Sequence, residues 1–543
     1  MADPQNQTSG HDAAELRGRT EPWTATDLFA LTVALGVGLW YRLRELSAEG
    51  FGDDEVHKWL ASGRYLHGDF SGDDVEHPML MKVLITAVRW FGEPRGWAPE
   101  LITRLPNAAF GGVSILVVAL LGRRLFGRAV GVYAALFAAV STTFIGYQRV
   151  AKEDTLLGLF LMLLCWCLAE AKAAADDART SEQRRWELWG AASLAGMLAS
   201  KYFPWLALAA PIFVFSVRKQ SMFRVPGKRW AQLIGLAFVL WIAVNWSPFL
   251  PSTWVYAKSY TTGQQTVHGS LYFMGRIYHN LVEYGWNGTP PWFYAVFTAV
   301  KLTPPVFLLA MAGLVIALAQ RKPAHKLLFA WMGVWFFVHS LSGSKWGRFY
   351  TSVLPAFLIL GAYTIAWVQQ VLMTRAPKVA LFVPFVTLLV LWHDTEVTKA
   401  HFPHARLYIS ALGGGDKNVD WFFPHCDDFD AGFREAMEYI AQHAEPGAEV
   451  STEIDWPAEL YAKEFHRADL KQTLMRRGRT CRAGTVCYVV TQRGRRYFLN
   501  EDALANLAKK EPWHVEQLLG QDVVKVYRLP PGESPFADEN VPH

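Results

Sequence analysis

The chain has 543 residues, 52% hydrophobic and 19% charged, with a mean hydropathy of +0.11 and a formal net charge of +5. A soluble globular protein carries about a quarter charged residues, so this composition excludes an ordinary soluble protein and points to membrane spans joined to a polar part. A net charge of only +5 gives no basis for nucleic-acid binding.

Residues 1–22 are polar, carry both signs of charge and contain no apolar core segment. They read as a disordered cytoplasmic tail rather than a cleavable signal. Apolar runs near the ~20 residues that cross a bilayer then recur along the chain. There are eleven of them, at about 27–45, 103–122, 129–147, 155–172, 187–200, 203–217, 230–249, 292–318, 327–341, 351–372 and 378–392. With the N-terminus inside, the basic clusters Arg123, Arg124 and Arg128, then Lys172 to Arg185, then Arg218 to Arg229, all fall on the cytoplasmic side. So do Arg321, Lys322 and Lys326, and finally Arg375 and Lys378, as the positive-inside rule requires. An odd number of spans leaves the rest of the chain outside. The expected organisation is a cytoplasmic tail (1–22), a mainly α transmembrane helical bundle (23–392) and a small extracytoplasmic α/β domain (393–543), in a plasma (inner) membrane.

The first outer loop, between the first two spans, opens with Asp53-Asp54-Glu55-Val56-His57 and continues to Glu76-His77-Pro78-Met79-Leu80. Acids that start a helix favour its dipole. The same carboxylates are also placed to take a proton from an incoming hydroxyl. Between Glu55 and Trp97 the loop reads as amphipathic helices on the membrane surface, with Trp59, Trp90, Phe91 and Trp97 at the interface. Arg104-Leu105-Pro106 begins the second span, where an arginine can also simply snorkel. A charge-dense turn follows at Arg149-Val150-Ala151-Lys152-Glu153-Asp154, then Lys201 between two apolar runs, then Lys345-Trp346-Gly347-Arg348. Ionisable groups so near hydrocarbon are costly and favour a functional reading. Carboxylates facing several cations suit a reaction whose leaving group is a lipid phosphate: cations stabilise the developing charge, one carboxylate activates the acceptor, and no general acid is needed.

Beyond the last span, Phe433, Ala436, Met437, Ile440 and Ala441 fall at helical spacing behind Asp427 and Asp428 as capping candidates. Val486–Thr491 and Val523–Arg528 read as strands. Cys165 and Cys167 read as packing residues. Cys481 and Cys487 pair only if their compartment is oxidising, which sequence leaves open.

These motifs, in this order, resemble the protein O-mannosyltransferase and aminoarabinose-transferase group of membrane glycosyltransferases with the GT-C fold. Asp54-Glu55 resembles the family's acidic pair after its first span, and Glu76-His77-Pro78-Met79-Leu80 its later loop motif, with Met79 where the family has a second proline. Arg104-Leu105-Pro106, Arg149 to Asp154, Gly196 with Ser200-Lys201, Lys345 to Tyr350 and the segment Pro403 to Gly415 are similar to its other motifs. The resemblance implies an inverting transferase that moves a sugar from a polyprenyl-phosphate carrier to an acceptor hydroxyl on the non-cytoplasmic face. It implies Asp54 as base with Glu55 in support and Asp154 across the cavity. Lys201, Arg104, His77, Lys345 and Arg348 are its candidates for the donor phosphate, with Glu76 and Arg149 also assigned to the donor site. Arg348 is the better bidentate partner. Asp54 and Asp154 are the pair that would hold a divalent metal; no ligand spacing calls for one, and no cofactor is expected. A transporter or flippase is the main alternative, against which stand the lack of internal repeats and the gathering of charge at one face. A non-catalytic assembly subunit would have no need of Asp54, Glu55 and Asp154.

Overall fold

The computed structural model describes residues 22–71, 75, 77–261, 269–428, 430–478, 480–481 and 485–536. The expected N-terminal tail and Glu76 lie outside the described residues.

Helices occupy all eleven apolar runs. They begin with Ala25–Leu43, Pro99–Phe126, Arg128–Val140 with Thr142–Gln148, Asp154–Asp176 and Thr180–Ser200. Next come Ala209–Val217 behind a 3-10 turn at Pro204–Leu208, Gly227–Val244, and Phe293–Lys301 with Pro304–Gln320. Pro323–Leu341, Leu354–Arg375 and Val383–His401 complete them. Among the described residues five helices are individually long and apolar enough to cross a membrane, and six if the pair bent by 62° at Ser141 counts as one. The chain is therefore a multi-pass membrane protein. The run at 292–318 is two helices because Pro304 disfavours helical backbone at Thr303, which is extended (ψ 144°). The final helix continues past residue 392, where the sequence reading placed the domain boundary, through polar Asp394, Thr395 and Glu396.

Phe29, Trp40, Phe215, Phe238, Val239 and Leu388 are exposed on the outside of the bundle, as a surface facing lipid allows. Inside, helices approach closely through small residues. A Cβ at Gly313 would lie 2.2 Å from the Leu360 carbonyl oxygen, so only glycine lets Pro304–Gln320 sit against Leu354–Arg375.

The segment between the first two apolar runs forms two helices, Asp53–Leu66 and Met79–Gly92. Arg89 lies 3.6 Å over the ring of Trp59, while Trp90 and Phe91 are exposed. Between Gly227–Val244 and Phe293–Lys301, the helix Pro251–Thr261 is followed by an antiparallel hairpin, β1 (Ser270–Phe273) and β2 (Arg276–His279), which pairs Ser270 with His279.

The C-terminal α/β region holds a five-stranded sheet of β3 (Glu449–Thr452), β4 (Lys471–Leu474), β5 (Cys487–Gln492), β6 (His514–Leu518) and β7 (Gln521–Leu529). The strand order is β4-β3-β5-β7-β6, with β3 parallel to β4 and β5, and β7 antiparallel to β5 and β6. The expected helix is Phe433–His443, whose Phe433, Ala436, Met437 and Ile440 are buried. Its N-cap is Gly432, not Asp427 or Asp428: Asp427 binds Lys301 at 2.6 Å and Asp428 binds Arg493 at 2.5 Å. Phe51 and Val56, from the segment between the first two apolar runs, pack into this region's core with Phe433, Met437, Tyr461 and Val524, so that segment and the C-terminal region share one apolar cluster. Cys481 and Cys487 form a disulfide.

Burial pushes the Glu453 carboxyl, which follows β3, up to about 7 from 4.5, against the opposing hydrogen bond from Asn500 and the charges of Arg495 and Arg476. The native state then holds a proton that the unfolded chain has released, so stability falls as pH rises from about 4.5 to about 7. Glu453→Gln is expected to flatten that slope, read as hydrogen-exchange protection of β3 across the same pH range.

Candidate active site

The turn from Arg149 to Asp154 is the hub of the site. Its polar groups hold the end of the first helix, the helix Asp53–Leu66, His77 and Lys201. Arg149 donates to the carbonyls of Tyr41, Arg44 and Glu45 at 2.9, 2.6 and 2.8 Å, tying down the end of the first helix. The amide of Ala151 donates to Glu55 at 2.8 Å. Lys152 pairs with Asp54, Glu153 with Lys58 at 2.9 Å and with His77 at 3.8 Å, and Asp154 with Lys201 at 2.8 Å. Charges this deep persist because each meets an opposite partner.

The start of helix Asp53–Leu66 is fixed on its other side by Glu55. That fully buried carboxylate takes two bonds from Arg104, at 2.9 and 2.6 Å, and one from the Gly52 amide at 3.0 Å. Arg104 spends its remaining donors on the carbonyls of Leu46, Glu49 and Gly50. Fixed in this way, the turn holds Asp54 part-exposed beside Arg348, whose guanidinium lies 3.7 Å from Asp54 and 3.8 Å from Asp154.

These groups open onto a cavity of about 720 Å³. Its lining includes the polar Asp53, Asp54, His77, Lys201 and Arg348 and the apolar or aromatic Phe203, Trp205, Val338, Leu281, Val282 and Phe349. The Lys201 ammonium lies 4.3 Å from the Phe349 ring and 5.0 Å from that of Phe203.

Of the residues singled out from sequence, Asp54, His77, Lys201 and Arg348 line this cavity, and Asp154 stands behind Lys201 and Arg348. Glu55, Arg104 and Arg149 do not line it; they are bound to one another's segments as described. Lys345 is fully buried and donates to the carbonyls of Thr289, at 2.8 Å, and Ser342, so it braces the loop after β2. The sequence reading did not single out His425, Asp430, Gln492 or Arg495, and gave Asp428 only as a capping candidate; these residues bring the C-terminal region into the cavity wall. Among the described residues no group of three His, Cys, Asp or Glu side chains is placed to hold a metal ion. Asp54 pairs with Lys152 and Asp154 with Lys201.

The family pattern for dolichyl-phosphate-mannose-protein mannosyltransferases matches residues 77–248. The structure superposes on ArnT from Cupriavidus metallidurans bound to undecaprenyl phosphate with a TM-score of 0.54 at 14% identity, covering 93% of this chain and 98% of that one. The chain has the GT-C fold. The GT-C likeness extends to the oligosaccharyltransferase of Archaeoglobus fulgidus in its apo form, with a TM-score of 0.51 at 13% identity over 82% of this chain and 64% of that one. It extends also to the archaeal oligosaccharyltransferase AglB from Archaeoglobus fulgidus in complex with an inhibitory peptide and a dolichol-phosphate, with a TM-score of 0.50 at 13% identity over 82% of this chain and 64% of that one. No curated protein matches the sequence. Among the matching motif residues of this GT-C chain, Glu55 is bound by Arg104, while Arg104, Arg149 and Lys345 donate to backbone carbonyls.

Proposed function

We propose that the protein is an inverting glycosyltransferase that moves a sugar from a polyprenyl-phosphate carrier to an acceptor hydroxyl on the non-cytoplasmic face of the plasma membrane. The observation that carries this reading is that one cavity is lined by Asp54, Arg348 and Lys201 together with the aromatic rings of Phe203, Trp205 and Phe349, with Arg348 3.7 Å from Asp54. An ArnT structure of the same fold holds undecaprenyl phosphate, a ligand with the anionic head and apolar tail that such a cavity fits.

Asp54 takes the acceptor proton as its oxygen attacks the anomeric carbon. The bond to the phosphate oxygen breaks, and the electron pair leaves on the phosphate. Arg348 and Lys201 stabilise that charge, and Asp154 keeps Lys201 charged and aimed. The aromatic rings seat the first isoprenes. The Cys481–Cys487 disulfide supports an oxidising compartment for the C-terminal region, and residues 23–392 with 393–543 remain the proposed division into membrane and outer parts.

The test is consumption of a panel of polyprenyl-phosphate-linked sugars by the protein in lipid nanodiscs, with membrane extract as acceptor source. Turnover of one donor supports the reading and names the sugar. No turnover of any donor by folded protein overturns it in favour of transport. Lys201→Ala is expected to raise the donor KM about tenfold or more, since it removes a charge-assisted contact worth ~1.5–3 kcal/mol; an unchanged KM removes Lys201 from the phosphate site.

A further inference from the structure

The C-terminal region reaches the site through one acid and one arginine. Asp430 accepts from Arg495 at 2.8 and 2.5 Å, from Gln492 at 2.7 Å, and from the backbone amide of Asp53 at 2.9 Å. Arg495 also lies 3.1 Å from the Asp53 carboxylate. Asp53 in turn accepts from the amide of Asp54 at 2.6 Å. An unbroken chain of contacts thus runs from the end of β5 to the residue read as the base.

The surrounding backbone is shaped for that chain. Asp430 has φ +66°, a left-handed conformation that non-glycine residues take at a cost. Four donors on its carboxylate hold it there. The turn bearing Arg495 sits so close to the segment before Asp430 that a Cβ on Gly494 would lie 2.9 Å from the Pro424 carbonyl oxygen. The same region also grips the segment between the first two apolar runs elsewhere. Tyr461 accepts from the Phe51 amide at 2.5 Å, and Arg434 donates to the carbonyls of Ser47 and Ala48 at 2.9 and 3.0 Å. Burial alone would raise the Asp53 carboxyl, but Arg495, Lys152, His425 and Arg348 hold it well below the usual carboxylate range, so it stays anionic and bound.

We propose that Asp430 and Arg495 are positioning residues for Asp54, so that the C-terminal region completes the active site rather than merely accompanying it. The pair touches no reacting atom. It fixes the amides of Asp53 and Asp54, and with them the direction in which the Asp54 carboxylate enters the cavity. The proposal rests on reading Asp54 as the base, and misplacing such a group by about 1 Å costs on the order of 100-fold in rate.

The experiment compares wild type, Arg495→Lys, Asp53→Asn and the double variant, as full chains in lipid nanodiscs. It reads hydrogen exchange across residues 46–58 and steady-state turnover of the polyprenyl-phosphate-sugar panel. Arg495→Lys keeps the charge but loses the fork that spans Asp430 and Asp53. We expect faster exchange at Asp53 and Asp54, a kcat lower by about 10- to 100-fold, and a donor KM within about twofold. The double variant should be no slower than Arg495→Lys alone, because both act through one contact. Unchanged exchange overturns the proposal, as does faster exchange with unchanged kcat, or losses that multiply in the double variant. If Arg495→Lys does not fold, Asp53→Asn carries the test, since its side chain is part-exposed and leaves the Asp430–Arg495 pair intact. Wild type that turns over no donor defeats the transferase reading, while the exchange data still decide whether the clamp exists.

Discussion

Asp54→Asn is expected to lower sugar transfer by about 10²- to 10⁴-fold, the span that a positioned general base contributes, with little change in the affinity for polyprenyl phosphate. Asn keeps an oxygen for Lys152 and nearly the same shape, so the variant should insert and fold. It cannot accept the acceptor proton at neutral pH. Lys201 and Arg348, the proposed phosphate partners, are untouched by the change, so inhibition by undecaprenyl phosphate should match wild type. Donor turnover and that inhibition constant, measured together, decide the matter. Near-normal kcat excludes Asp54 as base, whereas loss of phosphate binding along with turnover assigns it to holding the cations.

The second large effect is on stability. Arg104→Leu is expected to destabilise the protein by about 3–5 kcal/mol, because it leaves the Glu55 carboxylate charged and unpaired in the interior. The carbonyls of Leu46, Glu49 and Gly50 lose their donor as well. Glu55→Gln added to Arg104→Leu removes the stranded charge and should recover much of the loss. Thermal unfolding in nanodiscs checks both. A stable Arg104→Leu protein with a raised donor KM would instead place Arg104 on the lipid phosphate.

Arg104 also shows where reading from sequence stops. Apolar length located the helices, because a segment that crosses lipid must satisfy its backbone internally and announce itself in composition. Of the charged turns near those helices, three bring Asp54, Lys201 and Arg348 into one cavity. Which way a charged side chain faces is another matter. An arginine beside a helix end is equally suited to a phosphate and to the carbonyls at that end. Arg149 and Lys345 took the carbonyls; Arg348 took the cavity. Asp430 and Arg495 were beyond reach for a different reason, since hundreds of residues separate them from Asp53. The remaining local signal was the Arg493-Gly494-Arg495 turn, whose glycine permits a close approach to a distant segment.

The hub at Arg149–Asp154 constrains how such a chain can be recombined. Its consecutive groups interlock with the first helix end, with Glu55, Asp54, Lys58 and His77, and with Lys201. A one-residue insertion there would shift every later partner by one position and leave several charges stranded at once. Chimeras with another chain of the same fold should therefore exchange residues 41–104 and 149–154 as one cassette, Lys201 included. The separate exchange of either segment would place the teeth of one key in the lock of another.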